Sequence, residues 1–506
     1  MATKAKSLLL GFDMGTSGVK GVVLEPVTGE KQVVYVPWRL LTPRPGYAEF
    51  ACDELWAAIL ECVRRLRDER GVALSQVSAI GFCALCPGLI ALGADGRELS
   101  NCIIFMDARS AEDAAYIYSR ISREESYRIL GNVIMSGATS VTSMRWFKRN
   151  HPELYAKTAF FVHMPSWAGY KLTGEVRMDL ANAAGTGLYD IHGQCWSDRL
   201  IRAAEIQADK LPELAQGVDL LGRVMRGEFT QLGIPEGTPV SCGAGDTVCA
   251  LLALFGKQKD RAMLMLGTSN VLFSLTDSDR FSPEFQARSF VFRDYYAQGA
   301  SMSGPGAMTR WFRNEFCQDL LARESEGYDA YALMDAEAER TPPGAEGLIC
   351  LPYINGERSP VFDSDARAVL VGVNLKTTRG HIARAITEGA AYGIRQFAEL
   401  MRNNTGVPMN EMSVLGGGSK SSFVVQTMAD VTGCRMKTYD DPDLGAVGAA
   451  LTGGIAAGVI PSTYTLPQNR IARLYEPREE LADLYYAGFA RYQKLYPSVK
   501  ELFIRE

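Results

Sequence analysis

Asp13-Met14-Gly15-Thr16-Ser17-Gly18-Val19-Lys20, near the start of the chain, and Gly267-Thr268-Ser269, just past its middle, decide the fold. Each Gly-Thr-Ser tripeptide follows one apolar run and precedes another, which is typical of two strands joined by a tight turn. The tripeptides lie about half of the chain apart, at matching places in the two halves. This spacing favours an internal duplication over the alternative, a common hairpin turn that occurs twice by chance.

The surrounding periodicity predicts the same elements in each half. In the first half we expect strands over residues 7–13, 19–25, 32–38 and 77–85 and a helix over 53–70. In the second half we expect strands over 261–266, 271–276, 296–302, 347–353 and 412–415 and helices over 307–321 and 380–402. The sequence thus predicts an α/β protein of two similar lobes, residues 1–249 and 250–506, joined by a short hinge near 245–260.

The composition is that of a globular enzyme acting on a small molecule. The 506 residues are 47% hydrophobic and 22% charged, with a net charge of −5, so a nucleic-acid or anionic-membrane partner has no electrostatic support. The apolar run in Met1–Leu10 is too short for a signal peptide or a spanning helix. We therefore expect a cytoplasmic protein.

The cysteines favour reduced thiols. There are eleven, an odd number spread over a long chain, without the spacing of a disulfide framework. Cys83 and Cys86 form a C-x-x-C, but with no second pair and only four histidines a redox or zinc role is disfavoured.

Both Gly-Thr-Ser turns are candidates for phosphate binding. Glycines let backbone N–H groups approach phosphate oxygens, hydroxyls add donors, and a carboxylate at a strand end can hold Mg²⁺. The same donors in both lobes could grip one triphosphate from two sides; the alternative for either turn is a plain hairpin. The candidate metal ligand is Asp13, and the candidate phosphate ligands are Gly15, Thr16, Ser17, Lys20, Gly267, Thr268 and Ser269.

Asp246 is the candidate general base. It follows the glycine-rich run Cys242-Gly243-Ala244-Gly245 and precedes an apolar helical stretch, Val248–Phe255. Transfer of a phosphoryl group to an alcohol needs a positioned carboxylate that accepts the hydroxyl proton. The alternative is an N-cap aspartate, and both roles can coexist because a helix N-terminus also favours an anion.

A glycine triplet marks a third candidate segment. Gly416-Gly417-Gly418-Ser419 follows a predicted strand and leaves flat space for a nucleoside, whereas the alternative is a flexible strand-to-helix loop. The nearby Gly/Ala-rich helix that includes Leu444–Ala450 is expected to pack against a neighbouring element.

In this order and at these distances, the segments resemble the FGGY carbohydrate kinases over nearly the whole chain, and most closely their xylulokinase branch. The segment Leu351-Pro352-Tyr353-Ile354-Asn355-Gly356-Glu357-Arg358-Ser359-Pro360 and the Ala-Ala-Gly-Thr core of Ala181–Tyr189 also look like family motifs. The resemblance implies the actin-like ATPase (ribonuclease H-like) fold, with a mixed five-stranded sheet and flanking helices in each lobe.

The resemblance also implies the ligands: ATP mainly on the second lobe, sugar mainly on the first, Mg²⁺, and a possible homodimer. It assigns Asp13 and Thr16 to phosphate and metal, and Asp246 to base catalysis. To the nucleotide it assigns Thr268, Gly306, Gly417 and Ser421, beside which Gly418 is a further candidate.

The predicted sugar side departs from the family pattern. Xylulokinases usually carry Met-His where this chain reads Leu85-Cys86-Pro87-Gly88, and Asn where it has Thr247. The candidate substrate-binding residues are Cys86, Pro87, Asp107 and Thr247. D-Xylulose is the expected substrate, with ribulose, erythritol, glycerol or another short polyol as alternatives. A non-kinase actin-like or chaperone-like ATPase, and an idle sugar-binding protein, are the competing readings; retention of Asp13 and Asp246 disfavours the idle protein.

Overall fold

The computed structural model describes residues 7–259, 261–439, 443–467 and 471–504. The strands of the first half are β1 (Leu8–Met14), β2 (Gly18–Leu24), β3 (Lys31–Pro37), β4 (Glu49–Phe50), β5 (Val77–Ala84), β6 (Gly88–Gly93), β7 (Cys102–Ile104), β8 (Thr158–His163), β9 (Arg177–Asp179), β10 (Tyr189–Asp190), β11 (Cys195–Trp196), β12 (Glu213–Ala215), β13 (Leu220–Arg223), β14 (Pro239–Ser241) and β15 (Ala244–Gly245). Its helices are α1 (Cys52–Asp68), α2 (Ala111–Tyr118), α3 (Arg123–Leu130), α4 (Ser140–Asn150), α5 (Pro152–Lys157), α6 (Met164–Thr173), α7 (Leu180–Ala184), α8 (Asp198–Ala204), α9 (Glu228–Leu232) and α10 (Asp246–Phe255).

The second half continues the numbering. Its strands are β16 (Ala262–Leu266), β17 (Asn270–Thr276), β18 (Gln286–Ser289), β19 (Tyr296–Met302), β20 (Ile349–Leu351), β21 (Val369–Val371), β22 (Glu411–Leu415), β23 (Arg435–Tyr439) and β24 (Ile471–Tyr475). Its helices are α11 (Pro305–Phe316), α12 (Gln318–Ala322), α13 (Ala330–Glu339), α14 (Arg379–Thr405), α15 (Ser422–Thr432), α16 (Leu444–Ala456) and α17 (Ala482–Val499).

Each half forms one large mixed sheet with the same central order. The first sheet runs β13-β14-β5-β1-β2-β3, with β15 also paired to β5, and the second runs β18-β19-β17-β16-β22-β23-β24. In both, the opening strand pairs antiparallel with the next strand and parallel with the strand that follows a helix. This repeated order is the predicted actin-like arrangement, which is confirmed.

The sheets are larger than expected, with seven strands each instead of five. Four predicted strands form the centre of each sheet, as β3-β2-β1-β5 and β19-β17-β16-β22. The strands that were not predicted are β13, β14 and β15 in the first sheet and β18, β23 and β24 in the second. They are two to five residues long, too short for a periodicity to be read from the sequence.

Most predicted elements lie where the periodicity placed them, and three differ. The helix expected over 307–321 is broken, because α11 ends at Phe316 and α12 begins at Gln318. The strand expected over 347–353 is β20, which pairs only with β21, outside the large sheet. Residues 245–260, predicted to be a short hinge, contain α10.

Helix α16 packs on the sheet of the first half with almost no space between the backbones. A Cβ added to Gly11 would lie 2.0 Å from the carbonyl oxygen of Ala446, and one added to Gly81 would lie 1.9 Å from that of Ala449. Glycine is required here because any side chain would force the helix off the strands. The Gly/Ala-rich helix is thus a packing element, as predicted. Across the described ranges, no helix combines the length and apolar content needed to cross a bilayer.

Candidate active site

The first sheet brings Asp13 and Asp246 to the same edge. β5 lies between β1 and β15, and Cys83 is the direct neighbour of both Asp13 and Ala244 in parallel pairings. Neighbouring strands are about 4.8 Å apart, and Asp246 follows β15 immediately. The two predicted carboxylates therefore lie at the same edge of the sheet, on opposite sides of β5.

Burial raises the pKa values of both carboxyl groups. Burial and then the negative charge of Asp246 raise the pKa of Asp13 to about 7, against the positive charge of Lys20, which lowers it. Burial also raises the pKa of Asp246, against hydrogen bonds from Thr247 and the positive charge of Arg288, which lower it. A carboxyl group whose pKa is raised by burial is a stronger base, which suits proton abstraction.

Asp246 is the first residue of α10 and not its N-cap, which is Gly245. The backbone N–H of Thr247 donates to Oδ1 of Asp246 at 2.5 Å, and the Thr247 hydroxyl donates to the same oxygen at 3.1 Å. The N-cap interpretation is therefore wrong. The predicted substrate residue Thr247 orients the carboxylate of Asp246, and within the described ranges no hydrogen-bond donor reaches Oδ2.

Cys86 and Pro87 form one wall beside Asp246. Cys86 is half-buried and Pro87 is buried. A Cβ added to Gly185 would lie 2.4 Å from the sulfur of Cys86, so the Ala-Ala-Gly-Thr segment at the end of α7 packs directly against this wall. Backbone of this segment approaches the thiol closely because the wall residue is glycine.

Asp107, the fourth predicted substrate residue, is buried and fully engaged. Its carboxylate accepts hydrogen bonds from the backbone N–H of Ala48, at 2.7 Å, and from the guanidinium of Arg109, at 2.6 Å. Arg109 in turn pairs with Glu49 at 2.5 Å and lies over the ring of Tyr47 at 3.6 Å. Asp107 thus fixes a loop through Arg109, and direct binding of sugar by its carboxylate stays a prediction.

A cavity of about 530 Å³ opens in the second half. Its volume is within the usual range for a cofactor-sized ligand. The predicted nucleotide residues that line it are Gly267, Thr268, Gly306, Gly417, Gly418 and Ser421. All six come from the ends of β16 and β22, which run parallel, and from the starts of α11 and α15. Six of the predicted ATP ligands are therefore brought together.

The turn at Thr268 is held by the start of α11. The N–H groups of Gly306 and Ala307 donate to the carbonyl oxygen of Thr268 at 3.1 and 3.2 Å. A Cβ on Gly306 would lie 2.0 Å from the carbonyl oxygen of Gly267, so only glycine fits. Ser269 faces elsewhere, because its hydroxyl donates to the carbonyl oxygen of Ser303 at 3.1 Å.

Glu357 fixes the backbone between β19 and α11, next to this turn. Its Oε1 accepts the N–H of Ser303 at 2.6 Å and that of Arg358 at 2.7 Å. The N–H of Ser359 donates to the carbonyl oxygen of Ser301, at 3.1 Å. Burial raises the pKa of Glu357 to about 7. The Gly-Glu-Arg-Ser-Pro motif thus anchors the connection between β19 and α11.

The first Gly-Thr-Ser turn is built differently from the second. Met14 pairs with Val19 across a four-residue loop, whereas Leu266 pairs with Asn270 across three residues. Residues 15–20 are not among those that line the cavity. Thr16 and Ser17 are exposed, the Tyr35 hydroxyl donates to the carbonyl oxygen of Ser17 at 2.7 Å, and Lys20 pairs with Asp443 at 2.9 Å.

Two functional candidates escaped the sequence analysis. Asp335, on α13, lines the cavity and accepts a hydrogen bond from the hydroxyl of Ser421 at 2.6 Å; burial raises its pKa to about 6. Arg288, on β18, reaches the neighbourhood of Cys86 and Asp246. No motif surrounds either residue, and both are brought in by long-range packing.

The protein has two actin-like lobes. The first carries two carboxylates at the edge of its sheet, and the second has a nucleotide-sized cavity at the strand ends of its own sheet. These features define the class of actin-like phosphotransferases. Models of the FGGY family of carbohydrate kinases match residues 8–253 with the N-terminal domain and 262–457 with the C-terminal domain. The chain belongs to the FGGY family of carbohydrate kinases. It is therefore a carbohydrate kinase, with ATP as the substrate that this family implies.

Characterised relatives are distant but cover the full length. The chain is 27% identical over 503 residues to the xylulose kinase of Escherichia coli strain K12, covering 98% of this chain and 100% of the relative. It is 26% identical over 532 residues to the autoinducer-2 kinase of Salmonella typhimurium strain LT2, covering 99% and 96%. The solved structure of a xyloylose kinase from Brucella ovis superposes with a TM-score of 0.89 at 25% identity, covering 98% and 100%.

Proposed function

We propose that the protein phosphorylates a hydroxyl of a small sugar with ATP, and that its substrate is D-xylulose, converted to D-xylulose 5-phosphate. Asp246 would be the general base. The observation that supports this most is that Asp246 lies at the same sheet edge as Asp13, with both donors of Thr247 directed at one carboxylate oxygen. The other oxygen is then available to accept a hydroxyl proton.

The proposed mechanism depends on positioning. Asp246 accepts the proton of the sugar hydroxyl as its oxygen attacks the terminal phosphorus, and burial strengthens the base by raising the pKa of its carboxyl group. The N–H and hydroxyl donors of the Thr268 turn and of the Gly417–Ser421 segment would hold the phosphates of the leaving nucleotide. Closure of the cleft would exclude water, which competes with the sugar for the phosphoryl group.

Asp13 fits a Mg²⁺ ion that arrives with ATP. Within the described ranges, no group of three or more His, Cys, Asp or Glu side chains could hold a metal by itself. Mg²⁺ in kinases commonly uses one or two carboxylates together with phosphate oxygens and water. Asp13, whose pKa is raised by burial and by Asp246, is a carboxylate that a cation would stabilise. A bound Mg²⁺ would neutralise phosphate charge.

We assign residues 1–249 to sugar binding and 250–506 to nucleotide binding. The cavity lining from Leu266 to Met428 supports the second assignment, and Cys86, Pro87 and Thr247 around Asp246 support the first. Gly15, Thr16, Ser17 and Ser269 stay predicted phosphate ligands, and so does Lys20, although its ammonium group is paired with Asp443.

A screen that couples ADP release to NADH oxidation tests the proposal directly. Short ketoses, aldoses and polyols are each added to the purified protein with ATP and Mg²⁺. We expect D-xylulose to give the highest kcat/KM, with ribulose, erythritol and glycerol as the alternatives to exclude. Equal ADP release with and without any sugar would favour the non-kinase ATPase instead.

A homodimer stays a prediction, which light scattering after size-exclusion chromatography would test.

A further inference from the structure

Arg288 belongs to the second half of the chain, but its position is fixed by the first half. It lies in the edge strand β18, where both of its neighbours are held across the cleft. The N–H of Ala287 donates to the carbonyl oxygen of Gly131 at 2.9 Å. The hydroxyls of Ser289 and Tyr189 are hydrogen-bonded at 2.9 Å, and both are buried. The strand therefore presents Arg288 at a defined place.

The guanidinium of Arg288 reaches the wall formed by Cys86 and Gly185. A Cβ added to Gly185 would lie 3.7 Å from Nη1 of Arg288 and 2.4 Å from the sulfur of Cys86. The positive charge of the guanidinium acts on both the Cys86 thiol and the Asp246 carboxylate. Arg288 therefore lies beside the proposed base, on the side where the acceptor substrate must bind.

The guanidinium of Arg288 has more N–H donors than its described contacts use. It carries five N–H groups in a fixed fork, and among the residues that the structure describes no ion pair joins it to a carboxylate. A thiol is a weak partner. The residue is half-buried, so hydration of its charge is incomplete. Leu85, Cys86 and Pro87 offer no strong side-chain donor on this wall, which leaves Arg288 as the strong donor there.

We propose that Arg288 binds an oxygen of the acceptor and selects acceptors that present a carbonyl or carboxylate oxygen at this place over acceptors that carry only hydroxyls. An arginine fork matches oxygen atoms that accept two bonds, and charge-assisted bonds to such atoms are the strong ones. The inference rests on the proposed kinase function and narrows it to ketoses and sugar acids. Short polyols are then poor substrates.

Three acceptors of equal chain length test the proposal: D-xylulose, xylonate and xylitol. For the wild-type protein we expect kcat/KM for D-xylulose or xylonate to exceed that for xylitol by about 10- to 100-fold. Arg288→Gln should raise the KM of the preferred acceptor by a similar factor and bring its kcat/KM close to that of xylitol. The KM for ATP should not change. Arg293→Gln, in an exposed arginine five positions along, is the matched control and should behave as wild type.

The outcomes separate this inference from the kinase function. Preference for xylitol, or an unchanged selectivity in Arg288→Gln, overturns the role of Arg288 and leaves the kinase standing. A loss in kcat with no change in acceptor KM also overturns it, since that result places Arg288 on the phosphoryl group. If no acceptor is turned over, the proposed function itself fails. Calorimetric titration of the folded proteins with xylonate then still tests Arg288, which should be required for binding.

Discussion

The close contact between α16 and α10 predicts that Gly448→Ala destabilises the protein. A Cβ on Gly448 would lie 1.9 Å from the carbonyl oxygen of Cys249 in α10. Because ordinary contact begins near 3.4 Å, the two helix backbones would have to separate by about 1.5 Å. Alanine gains about 1 kcal/mol over glycine in a helix interior, whereas overpacking a tight contact costs about 3 kcal/mol. We therefore expect a net loss of about 2 kcal/mol in the free energy of unfolding.

The same displacement should reach catalysis, because Asp246 begins α10, one turn before Cys249. A misplacement of about 1 Å costs on the order of 10²-fold in rate. Urea denaturation and the ADP-release assay would measure the two effects. Gly227→Ala is the control, since nothing lies within 4 Å of its added Cβ and its φ of 176° is ordinary extended backbone. If Gly448→Ala were more stable than wild type by the helix-propensity gain, the packing argument would be refuted.

Three further substitutions test other parts of the site. Gly306→Ala should raise the KM for ATP by about 10-fold or more without changing the acceptor KM, because the added Cβ would lie 2.0 Å from the carbonyl oxygen of Gly267. An unchanged KM for ATP would contradict the placement of Gly306 in the nucleotide site. Burial raises the pKa of Asp335 from 3.8 to about 6, so wild-type stability should fall as pH rises through this range. Asp335→Asn should remove that loss and gain up to ~3 kcal/mol at pH 7.5 relative to pH 4 in urea titrations; an equal difference at both pH values contradicts the buried charge. Asp13→Ala should raise the Mg²⁺ concentration needed for half-maximal activity at fixed ATP, and an identical Mg²⁺ titration would remove Asp13 from the metal site.

Local patterns predicted four central strands of each large sheet, whereas the elements from β6 to β14, residues 88–241, were not predicted. The hairpins around both Gly-Thr-Ser turns and the helix α1 follow from apolar spacing, which local sequence records directly. The broken helix at Cys317 could not be predicted, because no glycine or proline marks the break. The short strands of the large sheets were missed because two to five residues are too few to show a period.

The candidate site was predictable only where a motif carries it. Asp246, Thr268 and Gly306 stand in glycine-rich segments whose chemistry can be read along the chain. Asp335 and Arg288 could not be predicted, because their roles arise from neighbours that are distant in sequence. Asp335 is bonded to Ser421, and Arg288 lies near Cys86. Asp107 shows the converse: a plausible ligand in sequence is fully engaged by Arg109 in the structure.

Turnover of Asp246→Asn with the best acceptor tests the central claim most directly. We expect kcat to fall by about 10²-fold or more, while ATP binding measured by calorimetry stays close to wild type, because the nucleotide cavity lies in the other lobe. Asp294→Asn, at an exposed position, should retain full activity. An Asp246→Asn protein that turns over sugar at the wild-type rate would contradict the account.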